Sequence, residues 1–157
     1  MPKVATKPPS NELYESDFYL WTQEQARLLR ERRWPDLDLE NVAEEVESMG
    51  RSDKRQIESR MTVLMAHLLK WKFQPGRRGE SWIGTIFQQR GALAGLIEDS
   101  PSLRVFLREA VFKTYLAARL RAAKETGVAF GLFPEECPFT PDQVLDLEFF
   151  PEDRELE

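Results

Sequence analysis

One cysteine and one histidine among 157 residues leave little material for the commoner kinds of site chemistry. A single thiol, Cys137, excludes an intrachain disulfide and any zinc module built from several cysteines, and it predicts a reducing, cytoplasmic setting. There is no Gly-rich phosphate loop, no GxSxG elbow, no HExxH and no paired-cysteine metal spacing, so no cofactor is expected. The longest apolar stretches, Val63–Leu69 and Ala92–Ile97, fall far short of the roughly 20 residues a membrane span needs, so no membrane partner is expected. Met1–Ser10 has two lysines and three prolines but no apolar core, so it does not read as a signal peptide. Residues 1–13 are expected to form a disordered arm. No internal repeat recurs.

What the chain has is helix signals in series. Ser16 or Asp17 caps a first helix predicted to run to about Trp34, where Pro35 would stop it. Asp38 caps a short second helix with the stripe Leu39, Val42, Ala43, Val46 and Met49, and Gly50 as its stop. Ser52 then opens a third, to about Lys72, with Ile57, Met61, Leu64, Leu68 and Trp71 facing inward. A basic loop holding Pro75, Gly76 and Gly79 leads to a fourth helix, from about Ser81 to Glu98, built inward on Trp82, Ile86, Leu93 and Ile97. Gly91 and Gly95, one turn apart, suggest close approach by a neighbouring helix. Ser100-Pro101 opens a fifth, which Gly127 ends, and one further short helix fits at Thr140-Pro141.

That fifth helix is apolar on two sides. Leu103, Leu107, Ala110, Thr114 and Ala118 make one stripe, while Val105, Phe112 and Leu116 fall roughly opposite. Five of the ten phenylalanines lie in the segment beyond Gly127, and the favoured reading lays that segment over Val105, Phe112 and Leu116. The competing reading makes those three a patch for another protein or for a second copy in a homodimer. The expected fold is therefore all-α: a compact bundle of about five helices with a Pro/Phe-rich C-terminal segment packed on it. Residues 14–151 would be a single helical domain and 152–157 an acidic tail.

The net charge of −5 is unevenly spread. Pro134–Glu157 holds nine acids and one base, and Asp36–Glu47 six acids and no base, whereas Arg51–Arg90 carries nine bases against three acids. An acidic mean therefore does not exclude an anionic partner.

Three groups of residues invite a chemical reading. Glu44, Glu45 and Glu47 on the second helix would lie beside His67 on the third if the two packed antiparallel. That arrangement resembles part of a carboxylate metal site in a helical bundle, although such sites draw on more ligands. The plainer reading hydrogen-bonds His67 to a glutamate or a backbone carbonyl and pairs Arg60 and Arg90 with the remaining acids. Cys137 stands next to Glu135 and Glu136, which oppose thiolate formation, so a buried, idle thiol is expected. The run Lys70-Trp71-Lys72-Phe73, followed by Arg77, Arg78 and Trp82, interleaves cations with rings as single-stranded nucleic-acid sites do. Its plain alternative is a helix end whose lysines complement the dipole.

Several ordered motifs carry a family resemblance. Tyr14-Glu15-Ser16-Asp17-Phe18-Tyr19 precedes Leu37-Asp38-Leu39-Glu40-Asn41-Val42-Ala43-Glu44-Glu45-Val46-Glu47-Ser48-Met49-Gly50. His67-Leu68-Leu69-Lys70-Trp71, Ser81-Trp82, Ser100-Pro101-Ser102-Leu103 and Phe133-Pro134-Glu135-Glu136-Cys137-Pro138 follow in order. Together they resemble the bacterial family called domain of unknown function 29, over about Tyr14 to Pro151. The resemblance implies a helical single domain and no particular activity. It also implies a histidine or glutamine before the arginine of the fourth helix, here Gln89 and Arg90, and glutamine supplies no second histidine ligand. The leading expectation is a small non-catalytic binding or regulatory protein, antitoxin-like or an adaptor, whose partner is another protein. A metal-dependent enzyme using Glu44, Glu47 and His67 comes second, and nucleic-acid binding through Lys70–Arg78 third.

Overall fold

The computed structural model describes residues 9–152; most of the expected N-terminal arm and of the acidic tail lies outside them. Among the described residues there is no strand. Seven α-helices follow one another: α1 (Ser10–Ser16), α2 (Phe18–Arg30), α3 (Leu39–Phe73), α4 (Glu80–Asp99), α5 (Arg104–Lys113), α6 (Tyr115–Thr126) and α7 (Pro141–Leu145). The chain divides into two compact units between Arg51 and Ser52, inside α3.

In the first unit, Ser10–Leu13 is helical and Leu13 is buried, so this part of the expected arm is ordered. Asp17 caps α2 as its sequence position predicts, accepting from the Leu20 amide at 2.9 Å. The helix then ends at Arg30, short of Trp34. Arg32 takes a left-handed φ of 57°, and the amides of Arg32 and Arg33 donate back to the carbonyls of Leu29 and Leu28. This is a Schellman closure made without glycine, which is why no glycine marks it in the sequence. Asp38 collects the unit. Its Oδ2 accepts from Trp21 Nε1 at 3.0 Å and Asn41 Nδ2 at 2.8 Å, and its amide donates to Gln25 Oε1 at 2.8 Å.

Gly50 does not stop a helix. Residues 39–73 form one continuous α-helix, and the expected second and third helices are its two halves. A mid-helix glycine costs only about 1 kcal/mol relative to alanine, which the hydrogen-bonded turns on either side can absorb. The stripe assigned to the second helix is also not core: Leu39, Ala43, Val46 and Met49 are exposed and Val42 is half-buried.

The second unit holds the main core. The distal part of α3 runs through its centre, with Ile57, Met61, Leu64, Met65, Leu68 and Leu69 fully buried. Ile86, Leu93 and Ile97 of α4 and Leu107, Ala110 and Val111 of α5 pack on it, with Tyr115, Ala118 and Ala122 from α6. The expected fifth helix is really α5 and α6, parted at Thr114, whose hydroxyl donates to the Ala110 carbonyl at 2.7 Å. Gly127 ends α6 in the left-handed conformation. Among the described residues nothing lies within 4 Å of a Cβ built at Gly91 or Gly95, so the expected close approach of a helix is not seen there.

The C-terminal segment is a strap over this core. Phe133, Phe139 and Val144 join the buried cluster, and Thr140 with Gln143 forms a capping box that starts α7. Buried side chains grip its main chain: Tyr115 Oη donates to the Pro134 carbonyl at 2.6 Å, and Arg119 Nη2 to that of Phe133 at 2.8 Å. Arg90 Nε donates to the Val144 carbonyl at 2.8 Å.

Candidate interaction surface

Because the strap lies on the buried side of α5 and α6, it does not cover the other side. Val105, Phe112 and Leu116 are 67, 60 and 59% exposed, which corrects the expectation that the C-terminal phenylalanines shield them. Leu120, 53% exposed and one turn beyond Leu116, extends the stripe. It is legible in the sequence, since i+4 spacing continues the same face. Fifteen residues at 1.5 Å per residue make the stripe roughly 22 Å long. The exposed charged residues of α5 and α6 are mainly basic: Arg104, Arg108, Lys113, Arg121 and Lys124 against Glu109 and Glu125. Arg108 pairs with Asp142, Lys113 with Glu58 and Arg121 with Glu125, while Arg104 and Lys124 have no ion-pair partner among the described residues.

The proposed carboxylate–histidine cluster does not assemble. Glu44, Glu45 and Glu47 belong to the first unit and His67 to the second, and each has other partners. Glu45 accepts from Tyr14 Oη at 2.6 Å, a bond that is the main cause of the tyrosine's pKa being pushed up to about 12. Glu44 and Glu47 pair with Arg51. His67 is buried, with Nδ1 2.9 Å from the Val63 carbonyl, and burial lowers its pKa. The backbone carbonyl is thus the histidine's partner. Arg60 bonds to Gln89 and Gln56, and Arg90 to carbonyls, so neither pairs with those acids. Among the described residues no three His, Cys, Asp or Glu side chains are grouped to hold a metal ion.

A family model described as a domain of unknown function, DUF29, matches residues 13–150. The chain belongs to this family. No curated protein matches it, and no solved structure does.

In this DUF29 chain the basic–aromatic run is largely turned to structural use. Lys70 is buried, with Nζ 2.7 Å from Glu125 and 5.1 Å from the centre of the Trp82 ring. Arg78 donates to the Trp71 carbonyl and lies 4.9 Å above that ring, whose neighbour is Phe150. Phe73 packs edge-on against Phe133, and Lys72 lies 6.0 Å from the Phe73 ring. Arg77, exposed, makes only a long bond of 3.5 Å to the Thr126 carbonyl. The rings that would stack on bases already have intramolecular partners. Cys137 is half-buried with Sγ 3.4 Å from the Phe139 carbonyl. Burial, rather than the adjacent glutamates, raises its pKa.

Proposed function

We propose that this protein is a non-catalytic binding module that receives an amphipathic helix of another protein on the exposed face of α5 and α6. The observation that carries this reading is the row Val105, Phe112, Leu116 and Leu120, left bare although the opposite side of the same helices is packed. Rows at this spacing are how helix-in-groove partners are read, as successive anchors on one face. The surrounding charge selects the partner. Of the five bases on these helices, Arg104 and Lys124 have no ion-pair partner among the described residues, which favours a helix whose apolar stripe is edged with carboxylates. The same charge disfavours a homodimer in which this face meets itself antiparallel, because Arg104 would oppose Arg121.

The test uses two synthetic helical peptides with one leucine stripe, flanked by glutamates in one and lysines in the other. The glutamate peptide is expected to bind, and Phe112→Ser is expected to weaken it at least tenfold with the circular dichroism spectrum unchanged. Equal affinity for both peptides, or none, refutes the partner assigned here. Light scattering on the full chain supplies the other arm: a dimer that Phe112→Ser dissolves would make the face a homodimer interface instead.

A further inference from the structure

Arg90 is the most deeply buried cation of the second unit, at 2% exposure, yet no carboxylate forms an ion pair with it among the described residues. Its partners are neutral: the carbonyls of Val144, at 2.8 Å from Nε, and of Gln143, at 3.3 Å from Nη2. Nη1 is buried with no hydrogen-bond partner among the described residues. The Phe150 ring, 5.7 Å from the guanidinium carbon, offers only its π face. A charge withdrawn from water and left without a counter-charge is expensive to keep. Burial accordingly lowers the Arg90 pKa, and Asp146, the one acid acting on it, offsets this only from a distance. A negative charge close by would relieve that cost.

There is space for one. A cavity of about 500 Å³ opens beside Arg90, bounded by α4, the turn at Pro101, α5 and α7. Arg104 and Arg108 also line it, the first without an ion-pair partner among the described residues and the second held by Asp142 at 2.7 Å. Ile97, Leu107 and Leu145 supply apolar wall. Glu98 is the one acid in the lining against three arginines, of which Arg108 is already paired with Asp142. The volume falls within the range of small-molecule sites, and apolar walls with a few convergent charges are their usual make-up.

We propose that this cavity binds a small organic monoanion, with a carboxylate head at the arginines and an apolar body along Ile97, Leu107 and Leu145. Arg104 offers a planar fork that matches a carboxylate, Arg108 adds the donors that its pair with Asp142 leaves, and Arg90 supplies a charge without an ion pair in the wall behind them. Glu98 argues against a doubly charged head, which is why a carboxylate is favoured over a phosphate monoester. The cavity shares Arg104 and Arg108 with the border of the peptide-binding face, but Val105, Phe112, Leu116 and Leu120 do not line it.

Calorimetric titration of the full chain with octanoate tests this, with octanol, octylamine and octyl phosphate alongside. Saturable octanoate binding is expected at or below roughly millimolar concentration, with octanol at least tenfold weaker. Arg104→Gln is expected to weaken octanoate at least tenfold with melting behaviour unchanged, and Ala94→Phe, at an exposed position of the lining, to abolish binding by filling the space. Phe112→Ser should leave it intact, separating the cavity from adventitious binding on the apolar stripe. Octanol or octylamine binding as tightly as octanoate, tighter binding of octyl phosphate, no saturation by octanoate, or indifference to both Arg104→Gln and Ala94→Phe would each overturn the proposal.

Discussion

In the first unit the buried apolar side chains are Leu13, Trp21 and Leu28, and the helices are tied as much by polar bonds converging on Asp38 as by packing. In the second, nineteen buried residues from four helices and the strap form one cluster. Three apolar side chains cannot offset the ordering entropy of some forty residues, and a piece of that size normally needs further support. The first unit also leaves Phe18, Leu20, Trp34, Leu39, Val46 and Met49 exposed. The difference teaches that amphipathic pattern reports which residues are able to form a core, while the supply of a covering surface decides whether they do.

The sharpest way to break this comparison is to alter one large buried side chain in each unit. Phe133→Ala should cost about 3–5 kcal/mol in urea unfolding, because it leaves a cavity in the second core. Trp21→Phe keeps most of the ring and loses the bond to Asp38, so it should cost only about 1–1.5 kcal/mol. That loss should show as faster hydrogen exchange in α1 and α2, with the α3 core amides of residues 57–69 unchanged. Equal effects on global unfolding would mean the units are one cooperative body.

Two substitutions should stabilise. Arg32→Gly, at φ 57°, relieves a left-handed conformation that costs a non-glycine residue about 1 kcal/mol, and the midpoint of denaturation should rise accordingly. Gly91→Ala, inside α4 with nothing within 4 Å of the new methyl, should add up to about 1 kcal/mol. A loss there would reveal a neighbour that approaches α4 from outside.

The smallest effect concerns acid. Burial holds the folded-state pKa of His67 below its ordinary 6.5. Its contribution is therefore fully present above about 6.5 and is lost as pH falls from there through the lower folded value. His67→Gln should flatten that part of the stability profile and leave the alkaline side unchanged in slope. An unchanged acid limb would show that His67 takes up its proton at no penalty.

Much of the second unit is legible in the sequence. Ile57, Met61, Leu64 and Leu68, and Ile86, Leu93 and Ile97, lie on the buried faces their spacing predicts, and the Thr140-Pro141 start is a true capping box. The departures share a cause. Glycine is a poor marker of helix ends here: Gly50 sits inside a helix, while the closure after α2 is a backbone pattern that Arg32 adopts instead. The side on which the strap lies is not legible either, since Phe133 and Phe139 fit any apolar face and the choice is made by Tyr115 and Arg119 reaching main-chain carbonyls. Those bonds carry no side-chain signature in the segment they hold. The cavity beside Arg90 is hidden from the sequence because residues 90, 104 and 108 come together only through the tertiary packing of α4 and α5, with Leu145 of the strap beside them.

That mode of attachment bears on the order in which the chain is made. A ribosome delivers α4 and α6 before residues 133–144, so Arg90, Tyr115 and Arg119 emerge before the carbonyls they will grip. Until those carbonyls arrive, the face of the nascent bundle that will close last presents hydrated cations beside apolar side chains. The half-made bundle is thereby kept wet on its stickiest side until residues 133–144 can seal it.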